Sequence, residues 1–208
     1  MLVSHYDIIY KLVCLFYSFF ISAPTGTVND PAPIFGPQSD IEIQGTDKSI
    51  CLGWTFGNEG IVAGFDSGNI AIYDPETGKV IIESKDIHKM RVNQISFNSD
   101  KTLMITCSKD CTASLVDPRT LTVLKTYTTS VPVNGAVISP THPHVIIGGG
   151  QDAQSVTTTS ASQGKFESRF FHMMYGDEFG RVKGHFGPIN SMAMHPNGES
   201  YVTGSEDG

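Results

Sequence analysis

The chain has 208 residues, enough for one large domain or two small ones, and 39% of them are apolar. Its 21 acidic and 14 basic residues give a formal net charge of −7 without any run of basic side chains, which argues against a surface that holds nucleic-acid phosphates and favours protein partners. The 21 Gly, the 11 Pro and the lack of a sustained apolar pattern at helical spacing predict an all-β fold.

The first predicted element is the apolar segment Ile8 to Ile21. An apolar stretch followed by small residues is typical of a signal peptide, but this one is short for a membrane span of about 20 residues. We interpret it as strand, because Phe16 to Phe20 matches the later third strands in length and apolar character. Ile41 to Ile43 would be the next strand of the same unit, after a loop at Thr25 to Asp40.

A repeat organises the rest of the chain. A short apolar strand ends at Trp54, Phe97, Ile138 and Met194, with spacings of 43, 41 and 56 residues. A polar turn, a second strand and an acidic turn follow each of these strands. A period of about 40 to 45 residues with four short strands per repeat predicts a β-propeller, in which each repeat is one four-stranded blade.

The third strands of two blades end in an apolar residue followed by an aspartate, Asp74 or Asp117. Fourth strands are predicted after them, at Lys79 to Glu83 and at Leu121 to Tyr127.

The third repeat is longer than the others and departs from their pattern. We predict its third strand at Val156 to Thr159 and a long fourth strand or a β-ribbon at Phe166 to His172. Met173 to Val182 would be an additional connection on the surface.

The predicted organisation has about three full blades and parts of two others. Its parts are an apolar start that fits no repeat at 1–13, the remnant of a preceding blade and a loop at 14–47, blades at 48–91 and 92–132, a blade with an insertion at 133–188, and a truncated blade at 189–208. We expect that this polypeptide alone cannot close a ring and leaves two sheet edges unpaired.

Several short blocks carry a family resemblance. The Gly184-His185 pair before Pro188-Ile189, with Ser-x-Asp sequences at the ends of second strands, looks like WD repeats. More specific blocks lie at Gly148 to Asp152, Val156 to Ser160, Gly164 to His172 and Glu178 to Ser191. From about Lys48 to Gly208 the chain resembles the subunit I family of eukaryotic translation initiation factor 3, whose members are WD-repeat scaffolds. The resemblance implies a propeller of seven blades, of which this chain holds an incomplete set.

The resemblance also implies a function. It indicates a non-catalytic scaffold in the cytoplasmic initiation factor 3 complex, which supports assembly of the initiation complex on the small ribosomal subunit. The implied partners are subunits b and g, with the ribosomal subunit contacted indirectly, and the family implies no cofactor, membrane or direct nucleic-acid site. The alternatives are a WD-repeat adaptor in receptor or kinase signalling and, third, an enzyme. The block from Gly164 to Gly187 favours the initiation factor over a generic adaptor.

Two sets of polar residues have the composition of a catalytic triad. They are His185, Ser205 and Asp207 in the last repeat and His88, Ser108 and Asp110 in an earlier one. Because the pattern recurs, whereas catalysis needs one copy, we interpret both sets as structural. The resemblance implies that the histidine, a second-strand Ser or Thr and the turn aspartate hydrogen-bond one another and lock the blade.

Other candidate sites are weaker. Cys107 and Cys111 lack the second pair of ligands that a zinc ion would need. Gly148 to Gly150 lacks the Lys-Ser/Thr of a phosphate-binding loop and fits a strand end with close backbone approach. His142 and His144 lie beside prolines in a predicted turn, and we interpret them as surface residues. We therefore predict no catalytic residue, metal or cofactor.

One edge of the blades is a candidate protein-binding site. The turns after the first and third strands are expected on the same rim, because these two strands run parallel. The charged residues of these turns are Asp100, Asp117 and Arg119 in one blade and Glu59, Asp74 and Glu76 in its neighbour. This edge is either a solvated surface or, as the resemblance implies, a docking site for a basic or amphipathic helix of subunit b.

Overall fold

Short antiparallel strands make up nearly all of the regular structure of the protein. The computed structural model describes residues 11–15, 18–22, 41–44, 47–150 and 166–207. Within these ranges the chain forms seventeen strands in five sheets and one short 3-10 helix, Phe56–Asn58. The sheets confirm the predicted all-β fold and are those of part of a β-propeller. The described residues contain no helix long and apolar enough to cross a bilayer.

The five sheets follow one another along the chain. The first contains β1 (Lys11–Leu15), β2 (Ser18–Ser22) and β3 (Ile41–Gln44). The second contains β4 (Ser49–Trp54), β5 (Ile61–Phe65), β6 (Ile70–Tyr73) and β7 (Val80–Ser84). The third contains β8 (Val92–Phe97), β9 (Met104–Ser108), β10 (Thr112–Asp117) and β11 (Thr122–Thr128). The fourth contains β12 (Val133–Ile138), β13 (His144–Gly149), β14 (Glu167–His172) and β15 (Glu178–Lys183), and the fifth contains β16 (Ile189–Met194) and β17 (Tyr201–Ser205).

Burial changes systematically across each four-stranded sheet. Every residue of the second strands β5 and β9 is buried, which requires apolar or small side chains on both faces. The fourth strands β7 and β11 are mostly exposed and carry charged and polar residues. The sheets therefore stand with their middle strands covered by neighbouring sheets and their last strands at the outside.

The apolar core lies between consecutive sheets. The first strands β4, β8, β12 and β16 are neighbours in that order. Residues of β5 and β6 form one buried cluster with residues of β8, β9 and β10. A second cluster joins the third sheet to the fourth, and another joins the fourth to the fifth. Each blade is therefore stabilised mainly by the blade on either side of it.

The first sheet has the order expected for the later strands of a blade. Strand β1 lies against β4 as β5 lies against β8 and β13 against β16, so β1 occupies the second-strand place. β2 and β3 pair as predicted for a third and a fourth strand. β1 spans the boundary that the sequence pattern placed after residue 13. The predicted loop at Thr25 to Asp40 lies outside the described residues.

The strand assignment of the third repeat was wrong. Phe166 to His172 was predicted as a long fourth strand or a β-ribbon, but β14 pairs directly with β13 and is the third strand. The fourth strand is β15, in the stretch that was predicted as a connection. The prediction was wrong because the residues that make this repeat longer than the others lie between its second and third strands, whereas the prediction placed them after the fourth strand. The predicted strand at Val156 to Thr159 lies outside the described residues.

Each four-stranded sheet has a β-bulge in its outermost strand. One residue there stands between two paired residues without a partner of its own: Ile81 in β7, Leu124 in β11 and Phe179 in β15. Their exposed fractions are 55%, 53% and 55%. Because a bulge turns a side chain out of the regular alternation, each of these three blades presents a large apolar side chain at its bulge.

Candidate functional site

His88 is the centre of a buried polar network that joins three segments of one blade. Its Nε2 lies 2.8 Å from the Thr106 hydroxyl of β9, and its Nδ1 lies 3.0 Å from the Thr112 hydroxyl of β10. Asp110, in the turn between these strands, places Oδ2 3.4 Å from the same Nδ1. We call these four residues the blade lock.

The lock holds an ionised aspartate next to a neutral histidine. Burial by itself would raise the pKa of Asp110, but hydrogen bonds from Thr112 and from the Lys89 N–H lower it below the ordinary value. Burial also lowers the pKa of His88, and this effect exceeds the opposing attraction of Asp110. The imidazole is therefore held neutral, as one donor and one acceptor between its neighbours.

His185 forms the same arrangement in the last blade. Its Nε2 lies 2.7 Å from the Thr203 hydroxyl, and its Nδ1 lies 3.2 Å from Asp207 Oδ1. The Phe186 N–H donates to Asp207 Oδ2 at 2.6 Å and is the main reason that the pKa of Asp207 falls to about 2. A geometry that recurs in two blades supports the structural interpretation of both sets.

The hydroxyls of the two networks differ from the predicted ones. Thr106 contacts the imidazole in place of Ser108, and Thr203 does so in place of Ser205. Ser108 donates instead to the backbone carbonyl of Met90 at 2.9 Å, and it still contacts the turn aspartate by accepting from the Asp110 N–H at 3.2 Å. Residues two apart on a strand share a face, so the pattern alone could not distinguish the two hydroxyls. The residue further from the acidic turn lies under the ring.

A groove on the rim opens between the second and third sheets. We call it the first rim groove; its volume is about 460 Å³. It is lined by Thr55, Phe56, Glu59, Gly60, Ile72, Ile81, Ile82, Lys101, Pro118 and Arg119. These residues come from the turns after β4, β8 and β10 and from β6 and β7, so the turns after first and third strands do meet on one rim.

A smaller groove opens between the third and fourth sheets on the same rim. We call it the second rim groove; its volume is about 250 Å³. It is lined by Asn98, Ser99, Asp100, Leu103, Ile138, Ser139, Pro140, Thr141, His142, Pro143 and Met173. Asp100 and His142 are its two titratable residues, and both are exposed.

The structure divides the charged edge that the sequence predicted. Glu59 and Arg119 line the first rim groove, whereas Asp100 lines the second. Asp74 and Glu76 belong to the turn after β6 and line neither groove. Asp117 also lines neither groove, so the two grooves share none of the six residues.

Two aspartates of this edge hold their own turns. Asp74 accepts hydrogen bonds from the Thr77 hydroxyl at 2.6 Å and the Glu76 N–H at 2.9 Å, and these two bonds lower its pKa. Asp117 accepts from the Arg119 N–H at 2.9 Å in the corresponding turn of the next blade. Part of the hydrogen-bonding capacity of both carboxylates is thus used within the blade.

The other candidate residues from the sequence are two cysteines, a glycine and two histidines. Burial raises the pKa of the Cys107 and Cys111 thiols, which disfavours the thiolate that a metal would bind. A side chain at Gly149 would meet the Pro132 carbonyl oxygen at 2.1 Å, in agreement with a strand end that needs close approach. The rings of His142 and His144 stack with centroids 5.4 Å apart. No group of three or more His, Cys, Asp and Glu within the described ranges could hold a metal ion.

Sequence reasoning missed several residues that shape these sites. Lys101 follows an aspartate in a polar turn, a pattern typical of exposed side chains, yet it is half-buried and donates to the Thr55 carbonyl oxygen at 3.3 Å. Phe56 and Ile81 also line the first rim groove. Their exposure follows from the short helix and from the bulge, which have no clear signal in the sequence.

Comparisons with known proteins agree with this architecture. A family model described as EIF3I matches residues 27–208. The chain is 54% identical over 151 residues to eukaryotic translation initiation factor 3 subunit I of Drosophila willistoni, covering 73% of this chain and 47% of that protein. The same protein of Drosophila melanogaster is 54% identical over 151 residues (73% and 46%), and that of Drosophila grimshawi is 52% identical over 161 residues (77% and 49%). The chain spans about half the length of these curated relatives. It belongs to the subunit I family of eukaryotic translation initiation factor 3, and its sheets are blades of that family's WD-repeat propeller.

Proposed function

We propose that the chain is a non-catalytic scaffold of the initiation factor 3 complex in the cytoplasm. In this role it supports assembly of the initiation complex on the small ribosomal subunit, which it contacts indirectly. The observation that carries the proposal is the pair of rim grooves on either side of the third sheet, the blade that His88 locks, because such grooves offer rigid surfaces to partner segments. The similarity to proteins named as subunits of this factor supports it.

The proposed partner of the acidic part of the rim is subunit b. A basic or amphipathic helix would lie along the second rim groove, with a cation near Asp100 and its apolar face over Leu103 and Met173. Asp117 is the last residue of β10 and lines neither groove, so a further cation of the helix would meet it beside the groove. Subunit g is the proposed second partner. The remnant at 14–47 and the four repeat units up to residue 208 would together form the scaffold that subunits b and g contact.

Charge reversal tests this docking site. In the full-length protein, Asp100→Lys with Asp117→Lys should abolish co-purification of subunit b, because the cations of the helix would meet like charges at the groove and beside it. Asp117 also holds its turn, so a second variant with Asp100→Lys and Asp117→Asn keeps the turn acceptor and should still weaken binding strongly.

The matched control carries the same change of charge elsewhere. Asp66 and Asp86 are exposed and follow the second strand β5 and the fourth strand β7, whereas Asp100 and Asp117 lie at the turns after a first and a third strand, so Asp66→Lys with Asp86→Lys should leave co-purification intact. Circular dichroism melting would show that all variants fold. Undiminished binding by the Asp100 and Asp117 variants would contradict the docking site.

A further inference from the structure

The first rim groove is the outer end of the apolar core between two blades. Ile72 and Ile82 form its floor, and both belong to the cluster that packs the second sheet against the third. Ile72 is buried, whereas Ile82 is half-buried because the core opens towards solvent there. Apolar packing therefore stops at a surface that an additional apolar group could continue.

Two exposed apolar side chains line the first rim groove above this floor. Phe56, in the turn after β4, is 57% exposed, and Ile81, at the bulge of β7, is 55% exposed. Because of the bulge, Ile81 and its neighbour Ile82 both line the groove instead of pointing to opposite faces. Leu124 occupies the same bulge in the next blade but is not among the residues of either rim groove.

The polar part of the groove is predominantly cationic. Half-buried Lys101 donates to one neutral acceptor, the Thr55 carbonyl oxygen, and its ammonium has three N–H groups. The Arg119 guanidinium is exposed and forms no hydrogen bond or ion pair with any described residue. Glu59 is the one carboxylate among the lining residues. In a chain of net charge −7, this local excess of positive charge favours an anionic group.

We propose that the first rim groove binds a linear segment of a partner protein that carries apolar side chains and a carboxylate. The apolar side chains insert between Phe56 and Ile81 onto the isoleucine floor, and the carboxylate pairs with Arg119 and Lys101. A volume of about 460 Å³ accommodates a short peptide motif. This segment is opposite in charge to the helix proposed for the second rim groove, so it is a separate occupant of the rim.

A pair of peptides tests the chemistry of the groove. Two fluorescein-labelled peptides with amidated C-termini, one of Leu, Phe and Asp and one of Leu, Phe and Lys in the same order, are titrated with the full-length protein by fluorescence anisotropy. The Asp peptide should bind more tightly, and Arg119→Glu should lower its affinity about tenfold, because a charge-assisted hydrogen bond is lost and a like charge is introduced. Ile81→Asn should cause a loss of similar size, because it removes the apolar contact without adding a charge.

Leu124→Asn is the matched control, since it places the same neutral polar side chain at the same bulge outside the groove. It should leave the affinity for the Asp peptide unchanged. Equal affinities of the Asp and Lys peptides, or equal losses from Ile81→Asn and Leu124→Asn in proteins that melt alike, would overturn the proposal.

Photo-crosslinking identifies the occupant in the native assembly. A photoreactive phenylalanine analogue at position 81 of the full-length protein, purified within its complex, should crosslink to an apolar and acidic segment of another subunit. The same analogue at position 124 should not. A crosslink from position 81 to a basic segment, to the chain itself or to a second copy of it, or no crosslink at all, would contradict the proposal.

Discussion

His88 shows how much a single side chain contributes to one blade. Its two ring nitrogens contact hydroxyls of the second and third strands, and Asp110 fixes the turn between those strands. His185 makes the equivalent contacts with Thr203 and Asp207. The energetic value of such a network comes largely from leaving no buried polar group without a partner. Removing one hydroxyl should therefore lower the free energy of unfolding by more than the net contribution of a single hydrogen bond.

Thr106→Val tests this at the residue scale. Valine keeps the shape of threonine but removes the hydroxyl 2.8 Å from His88 Nε2, so a buried imidazole nitrogen loses its partner. We expect the free energy of unfolding to fall by about 1–3 kcal/mol. Urea denaturation measures it.

Thr126→Val is the matched control, because Thr126 is exposed on the outermost strand of the same blade. It should change stability by less than about 0.5 kcal/mol. Equal stability of the Thr106 and Thr126 variants would show that the hydroxyl does not support the lock.

Neighbouring blades are also joined by equivalent asparagines on their first strands. The Asn93 amide donates to the Val133 carbonyl oxygen at 2.8 Å, and the Asn134 amide donates to the Ile189 carbonyl oxygen at 3.0 Å. Both also approach the side-chain oxygen of the next asparagine in the series, which for Asn134 is Asn190. Each blade thus continues a chain of amides that fixes the position of the next one.

At the scale of elements, Gly68 lets the turn between β5 and β6 approach the backbone of the next blade closely. Its φ is +96°, and a Cβ there would lie 2.6 Å from the His88 carbonyl oxygen. Gly68→Ala should therefore destabilise the protein by about 1–3 kcal/mol through backbone strain, before any cost of relieving the contact. Thermal and urea unfolding check this value.

Gly184→Ala is the control, since a Cβ at Gly184 would meet nothing within 4 Å. Its φ is not in the left-handed region. A Gly68→Ala protein as stable as the Gly184→Ala protein would show that the turn can move away from the His88 segment without cost.

At the scale of the whole molecule, each sheet depends on its neighbours for burial. The fifth sheet has two described strands, and within the described residues β17 pairs with β16 alone. Val202 of β17 is 66% exposed. Large apolar residues on the outer strands of other sheets are exposed as well. An edge strand with exposed apolar side chains is prone to pair with other chains.

The 208-residue polypeptide expressed by itself should therefore bind the dye ANS and self-associate. Light scattering and dye fluorescence measure the two effects, and Val202→Lys should reduce both, because a charge on an edge strand opposes pairing. A monomer that melts cooperatively and does not bind the dye would contradict the expectation.

The sequence by itself determined the features that depend on local chemistry. The repeat and its first and second strands follow from short apolar runs and from turn residues that act over a few neighbours. The histidine and aspartate positions of the lock were indicated by the resemblance to WD repeats. The short family blocks between Gly148 and Ser191 were specific enough to indicate the family from their residues alone.

Only the tertiary structure decided the features that depend on which segments become neighbours. It made β14 the third strand of its sheet, selected Thr106 rather than Ser108 for the lock, and separated Asp100 from Glu59 and Arg119. A strand has the same alternating pattern whichever strand it pairs with, and a charged turn has the same composition on either side of a groove. Those choices are made by pairing register and by packing against the next blade, which a local pattern does not contain.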